Sequence, residues 1–204
     1  MKLPRSAHTG MPWRIHELTR DFRLEDVWAL PTPGAKGDLH LLAEMTASGG
    51  DRGADWPPLI RALWALRWKL GGALGWDREQ TGLGARVPSL RERMPADLRD
   101  APRCPGFATL PFRSLYLLED EWAAELANST VHAVMHIGWV PDRTGEGYHA
   151  RMAVLVRPNG LLGRAYMAAI APLRHLLVYP AMMSRIGREW RRFTSTPTME
   201  RGRS

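Results

Sequence analysis

A single cysteine, Cys104, stands in the 204 residues, so no intrachain disulfide can tie the chain together, and a reducing cytoplasm is the expected compartment. Lysine is nearly as scarce: Lys2, Lys36 and Lys69 are the only ones, and arginine supplies most of the basic side of a net charge of +7. No run of 18 apolar residues occurs, so no membrane-spanning helix is expected, and "MKLPRSAHTGMPW" lacks the apolar core of a secretory signal. The positive charges are dispersed except in "SRIGREWRRF" (184–193), which argues against nucleic acid, a partner that calls for a concentrated basic stripe. G-x-S-x-G, H-E-x-x-H and C-x-x-C are absent, and "TGLGAR" (81–86) is a short glycine loop without Walker spacing. Cys104, set in "APRCPG", has no neighbour that would activate a thiolate. No cofactor is expected.

What is present fits one globular domain. Hydrophobic residues make up 45% and charged residues 24%, and the domain is expected over 12–193, with 1–11 and 194–204 as flexible termini. "RIHELTRDFRLEDVWALP" (14–31) is ambiguous between strand and helix, and 37–47 reads as a short helix. A loop (49–58) then precedes a helix (59–76) in which Trp64 and Trp68 share a face. A proline-rich connection over 77–111 holds one short helix in "SLRERM"; strands are expected at 113–127, 130–140 and 148–157. "PNG" (158–160) leads into a helix to about Phe193, kinked by Pro172 and Pro180. Between Leu161 and Ile186 its only charges are Arg164, Arg174 and Arg185, so it needs cover on most sides, which a curved sheet would supply.

"EDEWAAELANSTVHAVMHIGW" (119–139) carries Glu121, Glu125, His132 and His136. As one helix these form a stripe; as a hairpin about Asn128-Ser129 they form a polar face with an apolar face behind it. The β-branched "STVHAVMHIGWV" favours the hairpin. Its register would set Trp122 against Met135, Glu125 against His132 and Glu121 against His136. A second hairpin would set Trp139 against Tyr148, Met135 against Met152 and His136 against Arg151. The polar row is expected to be solvated. A zinc or acid/base site of Glu121, Glu125, His132 and His136 is the lesser alternative, and no metal is expected.

The apolar face is the better place for a ligand. Trp122, Met135, Trp139, Tyr148 and Met152 alternate with small Ala124, Ala133 and Ala150, and the helix adds Tyr166, Met167, Arg174 and His175. Large flexible side chains beside small ones leave room for an apolar molecule, and the charges inside the helix need a partner, water or a polar ligand group.

At "VLVRPNGLLGRAYMAAIAPLRHLLVYPAMM", with "DVWALP", "GLGARVPSLRERMPADL", "SLYLLEDEWAAE" and "NSTVHAVMHIGWV", the chain resembles an uncharacterised domain family, found alone or fused behind short-chain-dehydrogenase-like domains. That family is in turn similar to the START or Bet v 1-type group. The resemblance implies an α+β helix-grip fold, an antiparallel sheet wrapped around a long C-terminal helix, with a cavity for a lipid- or polyketide-like molecule. It carries over no catalytic residues. An enzyme of cyclase or hydrolase type would use His175, Tyr148 or Tyr166, or the Glu–His row. A membrane-surface protein would use Arg185, Arg188, Arg191 and Arg192 with Trp190.

Overall fold

The computed structural model describes residues 1–47, 87–104, 112–128 and 130–160, then 164, 168, 171, 172 and 174–195. The expected helix at 59–76, the glycine loop at 81–86, and Tyr166 and Met167 lie outside the described residues. Five antiparallel strands form one sheet in the order β1-β5-β4-β3-β2. They are β1 (Arg23–Ala29), β2 (Arg113–Leu117), β3 (Glu121–Ala127), β4 (Val131–Pro141) and β5 (Tyr148–Pro158). With the C-terminal helix described below, the architecture is mixed α+β. The span 113–127, expected as one strand, is two: the chain turns over Leu118–Asp120, where the Leu118 N–H donates to the Glu121 carbonyl at 2.8 Å.

Both hairpin registers differ from expectation by two residues. Trp122 lies opposite Ile137, Ala124 opposite Met135, and Glu121 opposite Gly138. Across β4 and β5, Trp139 faces Ala150, Ile137 faces Met152, and Met135 faces Val154. The reason is turn chemistry. Asn128 does not occupy the middle of the first turn; its side-chain oxygen accepts from Thr130 N–H (2.9 Å), Val131 N–H (3.0 Å) and the Thr130 hydroxyl (2.8 Å), anchoring the turn from its first corner. Asp142 does the same in the second turn, accepting from Thr144 N–H (2.9 Å) and Gly145 N–H (2.8 Å), with Gly145 at φ +78°. A shift of two preserves the side of every side chain, so the two faces survive.

β4 is buried along nearly its whole length at both parities, which requires cover on both sides of the sheet. One face carries Trp28, Trp122, Ile137, Trp139 and Met152, packed against α3 (Leu39–Ala47) and the C-terminal helix α5 (Tyr179–Ser195). The other carries Val134, Val140, Ala153 and Leu155. It is covered by α1 (Ser6–Thr9), α2 (Ile15–Leu18), a 3-10 turn (Leu90–Arg93) and α4 (Ala96–Arg99). Residues 1–11, expected as a flexible terminus, lie against the sheet. Lys2 bridges to Trp28, Leu3 N–H donates to the Val27 carbonyl at 2.8 Å, and Met1 exchanges hydrogen bonds with Ala29.

Between Pro172 and Pro180 the helix changes type. Arg174–Val178 form a π turn that passes into α5, and Pro180, which has no N–H to give to the preceding turn, follows it at the second residue of α5. Gly187 allows α5 to approach the 30–33 segment, since a Cβ there would lie 2.9 Å from Pro31 Cγ. Trp190 follows, buried beside Trp139 at 5.9 Å between rings, its indole N–H donating to the Pro33 carbonyl at 2.8 Å. Among the described residues no helix is long and apolar enough to cross a membrane.

Candidate functional site: a buried carboxylate at the end of an apolar row

The Glu–His row is not solvated. Glu121, Glu125, His132 and His136 are each at most 2% exposed, because the N-terminal helices and the 87–99 segment lie over them. They form two separate diagonal pairs. His132 Nε2 lies 2.9 Å from Glu125 Oε2, and His136 Nε2 lies 2.9 Å from Glu121 Oε2. Among the described residues no three His, Cys, Asp or Glu side chains are arranged to hold a metal ion. Cys104 is buried with its Sγ 3.2 Å from the Ala43 carbonyl, and burial pushes its thiol up to about 11, away from nucleophilic use.

On the other face, the sequence-expected residues divide. Trp122, Trp139 and Met152 are close-packed core: the Trp122 indole donates to Ser114 Oγ (3.3 Å) and that of Trp139 to the Ala35 carbonyl (2.9 Å). Tyr148 is half-buried, and its backbone is paired with Gly34. Met135 is also only half-buried, although β4 is the central strand. It belongs to a row across the sheet, Ala124–Met135–Val154–Asp26, in which Val154 is half-buried too.

Asp26 ends that row, and sequence reasoning missed it. Strict alternation in "RLEDVWA" would put Leu24 and Asp26 on one side. A bulge between them separates the two: Leu24 pairs with Leu155 and joins the far face, while Asp26 pairs with Val154 and turns toward the helix. The carboxylate is 1% exposed. Tyr179 donates its hydroxyl to Oδ2 at 3.0 Å; His175 Nε2 stands 3.3 Å and Lys2 Nζ 3.6 Å from Oδ1. The Trp28 ring packs on Tyr179 at 4.7 Å. A buried carboxylate is tolerated only with such partners. The π turn carries His175 beside Tyr179, at 5.7 Å between rings, so the helix irregularity and the strand bulge meet at one place. Arg174 begins the same turn. The nearest sequence signal was the lone acid in "DVWALP", an apolar strand that offers it no solvent.

The Tyr179–Asp26 bond carries a prediction. Tyr179→Phe removes one donor to a buried charge and should lower stability by about 1.5–3 kcal/mol, read from the urea midpoint at constant slope.

The chain belongs to the family described as protein of unknown function (DUF2867), which it matches over residues 18–181. The match takes in all five strands, Asp26, His175 and Tyr179, and leaves out residues 1–17. No curated protein and no solved structure matches the chain.

Proposed function

We propose that this chain binds an apolar small molecule, lipid- or polyketide-like, between the sheet and the C-terminal helix, in an arrangement of the START or Bet v 1 type. The observation that carries the reading is the half-buried Met135 at the centre of the sheet, in one row with Ala124, Val154 and Asp26. Small-molecule sites combine an apolar lining with a few converging polar groups, and this row has both. The apolar floor takes the ligand's body; Asp26, Tyr179 and His175 hold its polar end. The cavity residues are then Met135, Val154 and Tyr148, with Trp122, Trp139 and Met152 as the wall behind them.

The test is one substitution with two readouts. Met135→Trp should fill the space, leave apo stability within about 1 kcal/mol, and reduce binding of an apolar fluorescent probe several-fold. In a close-packed core the same change overpacks and costs about 1–3 kcal/mol. A wild-type protein that binds no probe and retains no organic mass on native mass spectrometry would sink the reading.

A second reading, an enzyme acting on such a ligand, draws support from His175. Its Nε2 stands 3.3 Å from the Asp26 carboxylate, and its buried Nδ1 has no hydrogen-bond partner among the described residues. The membrane-surface reading loses its anchor, because Trp190 is core and Arg185 is paired with Glu189 at 2.6 Å.

A further inference from the structure

The N-terminal segment holds the far face of the sheet through histidine. His8, on α1, is 1% exposed, and its Nε2 lies 3.2 Å from Nδ1 of His136 on β4. His136 Nε2 lies 2.9 Å from Glu121 Oε2, and the other Glu121 oxygen accepts from the Arg14 N–H at 2.8 Å. With Glu121 ionised, one arrangement of protons satisfies this line. His136 donates from Nε2 to the carboxylate, so its Nδ1 carries a lone pair and accepts from His8 Nε2–H. His8 Nδ1 is then bare, buried, and without a hydrogen-bond partner among the described residues. In this arrangement both imidazoles are neutral, and a further proton on His8 Nδ1 would be buried with no acceptor among the described residues.

Nothing near His8 would welcome a second charge. The groups acting on it are His136, His16 at 4.8 Å between rings, and Arg151, whose guanidinium donates to the Ala7 carbonyl. Trp13 closes the line from above, its ring 5.3 Å from His136. Around Glu121 stand Arg14, His16 and Tyr116.

We propose that the His8–His136–Glu121 line is a proton-binding site that clasps the N-terminal segment: a proton taken up there releases residues 4–19 and, with them, withdraws Lys2 from Asp26. The connection to the opposite face is covalent and short. Residues 1–3 run along the outer edge of β1, and Lys2 Nζ stands 3.6 Å from Asp26 Oδ1. Acidification on one side of the sheet therefore changes the charge beside the candidate site on the other. The clasp stands on its own geometry, whatever that site binds.

Burial, then the neighbouring His136, His16 and Arg151, hold His8 down to about 3, and burial with His16 holds His136 down to about 3. Once released, both return toward about 6.5. Protons therefore favour the released form as pH falls below about 6.5, and have no effect above it. From pH 7.5 to 5.0 the docking equilibrium should shift about 30-fold per histidine, and about 900-fold for the two. Glu121 is shifted upward by burial, so it opposes this at pH values just above its ordinary one.

Amide exchange at pH 7.5 and 5.0, corrected for intrinsic rates, tests the clasp in the full chain. Protection of residues 7–19 should fall at least 100-fold at pH 5.0 while β4 and β5 stay protected. His8→Gln keeps an N–H for His136 but cannot titrate, and should cut the pH dependence to that of one histidine. Imidazole titration by NMR in the unsubstituted protein gives an answer that does not depend on the variant folding. Docked His8 and His136 should remain neutral. Either one titrating near 6.5 with 7–19 still protected overturns the proposal, as does equal protection at both pH values or simultaneous loss of the whole sheet.

Discussion

Glu125→Ala should lower stability by about 3–5 kcal/mol, because it leaves several donors in a buried site without their acceptor, at about 1–3 kcal/mol for each one stranded. Three donors converge on this carboxylate: His132 Nε2 at 2.9 Å, the Leu90 N–H at 3.0 Å, and the Ser89 hydroxyl. Ser89 in turn caps the 3-10 turn through the Arg91 N–H, so Glu125 also holds the 87–99 segment on the sheet. Burial pushes its pKa up, but the bonds from His132, Ser89 and Leu90 together outweigh burial and leave it below the ordinary value. That contribution is fully present above the ordinary carboxylate range and is lost as pH falls through the lowered pKa. Glu125→Gln keeps one acceptor and should recover part of the loss. Urea denaturation of the three proteins checks this. On a solvated row the alanine variant would cost no more than about 1 kcal/mol.

The gap between those two figures shows what the strands revealed and what they concealed. Alternation in "EWAAELA" and "VHAVMHIGWV" placed each side chain on its proper side and gave the antiparallel order β3 to β5, because side-chain parity is a property of the strand alone. Register depends on which atom of Asn128 or Asp142 closes the turn, and a periodic pattern does not encode that. The second covering layer was missed for a related reason. α1, α2, α4 and the 3-10 turn are four residues each, too short to show any period. A signal did exist: Val134 and Val140 lie on the same parity as His132 and His136, and a strand apolar on both sides is buried on both. Buried between two layers, each Glu must find a His, and each did.

The candidate site was half legible for the same physical reason. Met135 and His175 follow from patterns within one element. Asp26 reaches its place only through a bulge, and the bulge is a property of how β1 meets β5. Its partners come from the π turn that runs into α5 and from the N-terminal edge, two regions far apart in sequence. A lone acid in an apolar strand calls for partners, but the strand does not say where they come from.

Trp190→Ala should cost about 3–5 kcal/mol, the usual range for emptying a large buried aromatic position. Trp190 is 1% exposed, lies against Trp139, and donates its indole N–H to the Pro33 carbonyl at 2.8 Å. Beside it, Gly187 lets α5 settle on Pro31, so the two residues together fix the helix on the apolar face of the sheet. Trp190→Phe keeps most of the volume and loses the hydrogen bond, and should cost less than half as much. The surface reading of the same helix end makes the opposite demand. An exposed anchor would leave the urea midpoint unchanged and lower retention on anionic vesicles. Arg188 bonds Ser184 Oγ at 2.7 Å and Arg185 bonds Glu189, each along the helix itself. Loss of stability with unchanged vesicle retention is the outcome the packing requires, and it would carry over to the ligand, since a loosened α5 would no longer hold Tyr179 against Asp26.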